Sequence, residues 1–188
     1  MKEPILDRPV IQTVEVRPIG FVRSPYKQHD DVVHTHDRWT NEEAAIQLSA
    51  EHAAGLKGLT GYSHIIILFW IHRANEWKMP KGHHKPPGVN VFATRMPRRP
   101  VPIGISVVEL IDFSPETGLV RVHGLDALDE TPVLDIKPYI PHFDSIAHAT
   151  VPDWVRDHIG KHHHGGARGH HGQDNESTGN LESHSPRT

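Results

Sequence analysis

At 188 residues the chain has room for one sizeable core, and its 36% apolar content points to a polar segment lying outside that core. It has no cysteine, which excludes disulfides, thiolate metal sites and cysteine nucleophiles. The net charge of −3 excludes a uniformly basic surface, yet the stretch from Lys78 to Arg99 contains Lys81, Lys85, Arg95 and Arg98 with no Asp or Glu. A local basic stripe of that kind is what phosphate binding uses.

The N-terminal segment mixes acids with its apolar residues and lacks the apolar h-region of a signal peptide. Val14–Val22 alternates around a Pro-Ile-Gly and predicts a strand with an edge or bulge. Arg23–His36 is polar and loop-like, and Ala44–Leu48 predicts a short strand. Ser49 is placed to cap a short helix that ends near Gly55 or Gly58. Tyr62–His72 is β-branched and aromatic, so it predicts a buried strand. Its longest apolar run, Ile65–Ile71, is far too short to span a bilayer, and a soluble cytoplasmic protein is expected.

Met79–Gly88 carries prolines, glycines and a His pair, as an exposed connection does. Ile103–Phe113 predicts a further strand, Asp112–Gly118 supplies turn chemistry, and Leu119–His123 returns as the hairpin partner. Pro132–Ile136 adds one more strand, and Val151–Ile159 a terminal helix. Strands at turn-length spacing without long intervening helices favour a mainly β fold, a small antiparallel β-barrel with one or two short helices. No G-x-G-x-x-G follows a strand, so the dinucleotide fingerprint is absent. The expected division is an N-terminal extension over 1–13, a barrel domain over 14–159 and a disordered His/Gly-rich tail over 160–188.

The densest chemistry lies in Val91–Ser106. Arg95, Arg98 and Arg99 alternate there with Pro97, Pro100, Pro102 and Gly104, a stiff cationic path suited to an anionic or nucleotide ligand. His64 and His72 bracket the apolar strand, and His72, at its exit before Arg73, has the better claim to a site. Asp126, Asp129, Glu130 and Asp135 crowd one segment, where acid–base work and turn capping are both open readings. Lys137 and Tyr139 stand beside them. Ser24, Ser63 and Ser106 lack the G-x-S-x-G context of a serine hydrolase. His162, His163, His164, His170 and His171 in the tail imply weak, non-selective metal binding and no built metal site.

Four segments, SPYK (Ser24–Lys27), GLKGLTGYSHIIILFWIH (Gly55–His72), FATRMPRRPVPIGIS (Phe92–Ser106) and GLDALDETPVLDIKPYIPHFD (Gly124–Asp144), together resemble the TrmO family of TsaA-like-domain proteins. The resemblance covers roughly Val14–Ser145, with the motifs in the family's order. It implies a small β-barrel, a homodimer, and S-adenosylmethionine-dependent methylation of N6 of threonylcarbamoyl-adenosine beside the anticodon of tRNA. On the matching positions it places cofactor contacts at Pro25, Tyr26, Lys27, His72, Arg73, Arg95, Ile105, Leu125, Asp126, Ala127 and Leu128. Lys85, Arg98 and Arg99 would then face tRNA phosphates.

The acceptor nitrogen in that chemistry belongs to a urea-like group and is a poor nucleophile. Methyl transfer therefore asks for in-line positioning and for an acceptor of the departing proton. Asp135 is the candidate base, with Lys137 and Tyr139 framing the same site. The chain departs from the family pattern at Val101, where RPNPIG carries asparagine, at Glu130, where D-G-T-P carries glycine, at Met96-Pro97-Arg98, and in its His-rich tail, where longer members carry a further domain. A methyltransferase of the same fold acting on a small molecule, or a non-enzymatic protein binding S-adenosylmethionine or metal, are the alternative readings.

Overall fold

The computed structural model describes residues 13–33, 42–74 and 86–157. Six strands close into an antiparallel barrel in the order β1-β2-β5-β4-β3-β6: β1 is Gly20–Arg23, β2 Glu43–Leu48, β3 His64–Trp70, β4 Ile103–Ser114, β5 Leu119–His123 and β6 Pro132–Pro138. Closure comes from a short β1–β6 pairing, Gly20 opposite Val133 and Phe21 opposite Pro132. Full closure leaves no free sheet edge among the described strands to recruit another chain.

Alternation along the strands builds the core. Val22, Ile46, Ile65, Ile67, Val108, Val120, Val122 and Val133 point inward and are buried, and Leu125 and Ala127 join them from the segment after β5. The expected Ile65–Ile71 strand is present as β3, buried on one face and half-covered on the other. Gly104 exists for a close approach: a Cβ there would lie 2.2 Å from Phe69 Cε2, because the Phe69 ring packs over the backbone of its register partner. Gly20 is similar, with a Cβ 2.4 Å from the carbonyl oxygen of Gln47.

The boundaries differ from expectation where proline intervenes. β1 begins only at Gly20, since Pro18 has no N–H to give a ladder. The polar Arg23–His36 stretch contains a helix, α1 (His29–Val33), anchored by Asp31, whose carboxylate accepts the Lys27 and Gln28 amides at 2.7 and 2.9 Å. The Ser49-led helix is present as α2 (Ala50–Ala53) and continues as a tight turn over Ala54–Leu56, although the Ser49 side chain makes no capping bond. β3 stops at Trp70, so His72 lies in the turn beyond it. β6 extends to Pro138 and is followed by α3 (Pro141–Asp144), and 153–157 is helical. The 1–12 extension, the His-rich tail from 158 and the 75–85 connection lie outside the described residues.

Candidate cofactor site at one mouth of the barrel

Antiparallel order brings the ends of β1, β3 and β5 and the starts of β2, β4 and β6 to one mouth. Nearly every residue expected to touch the cofactor stands there. The segment Leu125–Leu128 crosses the opening, with Leu125 and Ala127 pointing into the core. Buried Ser24, just past β1, donates its hydroxyl to the Ala127 carbonyl at 2.8 Å and stitches the two loops together. Asp129 N–H then donates to the Tyr26 carbonyl at 2.7 Å.

Asp129 holds this mouth electrostatically. One carboxylate oxygen accepts from Lys27 Nζ at 2.6 Å and the other from the Ser24 amide at 3.1 Å. The Lys27 hydrogen bond, ahead of the opposing effect of burial, keeps the Asp129 carboxyl below its ordinary range. A cleft of about 430 Å³ opens beside this pair, lined by Arg23, Ser24, Pro25, Lys27, Glu43 and Asp129 among others.

His72 and Arg73 form the next part of the rim. Arg73 Nη1 donates to the Lys27 carbonyl, at 2.5 Å, and Arg73 Nε donates to His72 Nε2 at 3.2 Å. His72 Nε2 is thereby the acceptor, so the ring proton sits on Nδ1 and points to buried Thr131 Oγ1 at 3.3 Å. Burial, then the Arg73 charge, hold the imidazole below its ordinary pKa, against the opposing field of Glu130.

On the far side of the mouth, Asp126 accepts from the hydroxyl of buried Ser106 on β4. Arg95 Nη2 donates to the Ile105 carbonyl at 3.1 Å, so both of these expected contacts fall together. The rest of the arginine loop divides. Arg99 donates to the carbonyls of Thr94 and Met96 at 2.8 and 3.4 Å and braces the loop from within. Arg98 is exposed and makes no ion pair among the described residues. Lys85 lies outside the described residues, as do Lys78 and Lys81.

Asp135, Lys137 and Tyr139 are not brought to the mouth. Asp135 and Lys137 sit on the outer face of β6 opposite Leu68 and Ile66, with Lys137 Nζ 2.6 Å from Asp135 Oδ2. Tyr139 lies past the opposite end of the barrel, where its amide bonds to the His64 carbonyl at 3.1 Å and its ring meets that of His64 edge-on. The seven residues of β6 span roughly 23 Å at ~3.3 Å per residue, which separates Tyr139 from the mouth of its own barrel.

Sequence reasoning missed three elements of this site: Ser106, Thr131 and Arg23. Ser106 and Thr131 were legible only as a strand serine and a turn threonine, because their partners are distant in sequence. No group of three or more His, Asp or Glu among the described residues is arranged to hold a metal ion.

Residues 21–145 match the model of the tRNA-methyltransferase O N-terminal domain. A "probable S-adenosyl-L-methionine-binding protein" of Methanothermobacter thermautotrophicus is 41% identical over 136 residues, covering 71% of this chain and 95% of that protein. The tRNA (adenine(37)-N6)-methyltransferase of Escherichia coli is 35% identical over 145 residues, 71% of this chain and 60% of the enzyme. The crystal structure of TrmO from Pseudomonas aeruginosa superimposes with a TM-score of 0.61 at 33% identity, covering 77% of this chain and 62% of that one. The chain thus spans nearly all of the archaeal protein but about three fifths of the bacterial enzymes. With the family model matched over residues 21–145 and the barrel in agreement, the chain belongs to the tRNA-methyltransferase O N-terminal domain family.

Proposed function

We propose that the chain is an S-adenosylmethionine-dependent methyltransferase that methylates N6 of threonylcarbamoyl-adenosine next to the anticodon of tRNA, acting as a cytoplasmic homodimer. The observation that carries this reading is the convergence of Lys27, His72, Arg73, Ile105, Asp126 and Asp129 on one barrel mouth from four separate segments.

The donor set there fits the cofactor. Its ammonium and ribose hydroxyls need carboxylate partners, which Asp126 and Asp129 offer, and its carboxylate needs a cation, which Lys27 and Arg73 offer. The backbone of Leu125–Leu128 is fixed over the core and presents main-chain groups for an adenine edge. When bound, the cofactor supplies an electrophilic methyl on its sulfonium. The residues of the mouth orient it, and the Ser24, Asp129 and Thr131 network keeps that orientation rigid.

Asp135 takes the proton from the acceptor nitrogen in this reading, with Lys137 as its electrostatic partner and Tyr139 framing the acceptor. Because β6 carries these residues away from their own mouth, a second copy is required to bring them to a cofactor. The outer face beside them suits such a partner: Trp70, Ile103, Ile105 and Val107 are exposed large apolar side chains on adjacent strands. Phe143 and Ile146, 73% and 77% exposed just past β6, extend the same apolar character. Arg98, at the tip of the braced loop, is the phosphate contact.

Incubation with methyl-labelled S-adenosylmethionine and bulk tRNA tests the reading. Label in tRNA is expected, and it should vanish with Asp135→Asn. Cofactor binding without tRNA labelling would move the acceptor to a small molecule, the reading that Val101, exposed in the arginine loop, favours. Absence of cofactor binding would leave a non-enzymatic role.

A further inference from the structure

Glu130 adopts φ 63°, the left-handed region that L side chains other than Asn and Asp rarely enter. The conformation is locked from both sides. Glu130 N–H donates to the Val22 carbonyl at 2.9 Å, and the next amide, Thr131 N–H, closes a tight turn onto the Leu128 carbonyl at 3.2 Å. Glycine is the residue that such a position favours. A glutamate kept there against its backbone preference asks for a return elsewhere.

The return is not a strong ion pair. Glu130 Oε1 lies 3.9 Å from Arg23 Nη1, and both side chains are more than half exposed, a geometry that contributes little to stability. What the residue does add is charge at the mouth. Its neighbour Asp129 is engaged by Lys27 and the Ser24 amide, and Asp126 by the Ser106 hydroxyl. Glu130 is the carboxylate of this turn held only loosely, 3.9 Å from Arg23, which with its chain neighbour Asp129 lines the cleft. Its field reaches the neighbouring His72, whose ring meets the Thr131 hydroxyl at 3.3 Å.

We infer that Glu130 is a specificity-determining residue that makes the mouth prefer the cationic sulfonium cofactor over its neutral thioether product. The inference rests on the cofactor reading above. S-adenosylmethionine and S-adenosylhomocysteine share every recognition group except the methyl, and they differ by one positive charge. A carboxylate at the rim of a partly solvated cleft discriminates that charge by roughly three- to ten-fold, and less as salt rises. The strain is then the counterpart of faster product release.

Titration calorimetry with S-adenosylmethionine and with S-adenosylhomocysteine, at low and at high salt, tests it. Glu130→Gln retains the strained backbone and loses the charge, so the preference should fall roughly three- to ten-fold at low salt, with the change in the sulfonium Kd. Glu130→Gly should show the same loss of preference together with a raised melting midpoint, and Glu130→Asp should restore the preference. An unchanged ratio of the two Kd values in Glu130→Gln at low salt overturns the inference while leaving the cofactor reading intact. Wild-type protein that binds neither ligand overturns the cofactor reading and the inference with it.

Discussion

Lys27 Nζ lies 2.6 Å from Asp129 Oδ2, and this pair clamps the loop after β1 to the turn before β6 at the mouth of the barrel. The Asp129 carboxylate is largely covered, at 17% exposure, so solvent screens it less than the surface pairs Glu15–Arg17 or Asp153–Arg156. Its folded pKa is depressed, with the Lys27 hydrogen bond the leading cause. The sign follows: its stabilisation is present above the unfolded carboxylate value of about 3.9 and is lost as pH falls through the lower folded value. Thermal melts between pH 5 and pH 2 should therefore show a steep acid limb in the wild type. Asp129→Asn should flatten that limb and lower the midpoint at neutral pH.

The contact between Gly104 and the Phe69 ring predicts a large effect from a single methyl group. Gly104→Ala would set a Cβ 2.2 Å from Phe69 Cε2, and the ring it would displace is buried in the core. Overpacking of this kind costs about 1–3 kcal/mol, readable as a lowered urea midpoint. Trimming the ring should relieve it, so Gly104→Ala with Phe69→Leu should be more stable than the sum of the two single variants predicts.

Such contacts explain what was legible in the sequence and what was not. The β-branched Ile65–Ile71 run and the alternation of Leu119–His123 are local signals that became strands, while the turn expected over Asp112–Gly118 is confined to 115–118 because β4 runs on through Ser114. Barrel closure through two register pairs of β1 and β6 is not local, and nothing in Gly20 or Val133 announces it. Likewise the arginine loop was visible as a stiff cationic strap, but the inward commitment of Arg99 to Thr94 and Met96 was not. The mouth itself is made of links such as Lys27–Asp129 and Ser106–Asp126, whose partners meet only once the barrel exists.

His72 gives a second pH dependence, of opposite chemical origin. Burial is the first cause of its depressed pKa, with the Arg73 charge behind it, so the folded state favours the neutral ring. The unfolded chain takes up the proton first as pH falls through about 6.5, and stability declines from there until the folded value is passed. The ring titration followed by NMR should give a value below that of free histidine. In His72→Asn the decline in melting temperature between pH 7 and pH 5 should shrink, apart from contributions of other histidines.

Ser106 and Asp126 predict a ligand effect with little effect on folding. Ser106 is buried and its hydroxyl is the donor that orients the Asp126 carboxylate. Ser106→Ala removes that donor without changing the strand, so the carboxylate turns toward water. A hydrogen bond to a charged group contributes about 1.5–3 kcal/mol, so the cofactor Kd should rise roughly ten-fold or more. Melting of the free protein should move by only a few degrees.

Val107 separates folding from assembly. It points outward from β4, 44% exposed, opposite Ile66 and between Ile105 and Glu109, so a charge there meets water in a single copy. In a dimer that buries this face, the same charge would be left without a partner in an apolar contact. Val107→Glu should therefore sediment as a monomer under conditions where the wild type is a dimer, with the barrel's circular dichroism and melting largely retained. Because Asp135 and Tyr139 sit away from their own mouth, methyl transfer to tRNA should fall far more than cofactor affinity does. A Val107→Glu monomer with wild-type turnover would show that one barrel suffices, and that β6 does not serve a partner's cofactor.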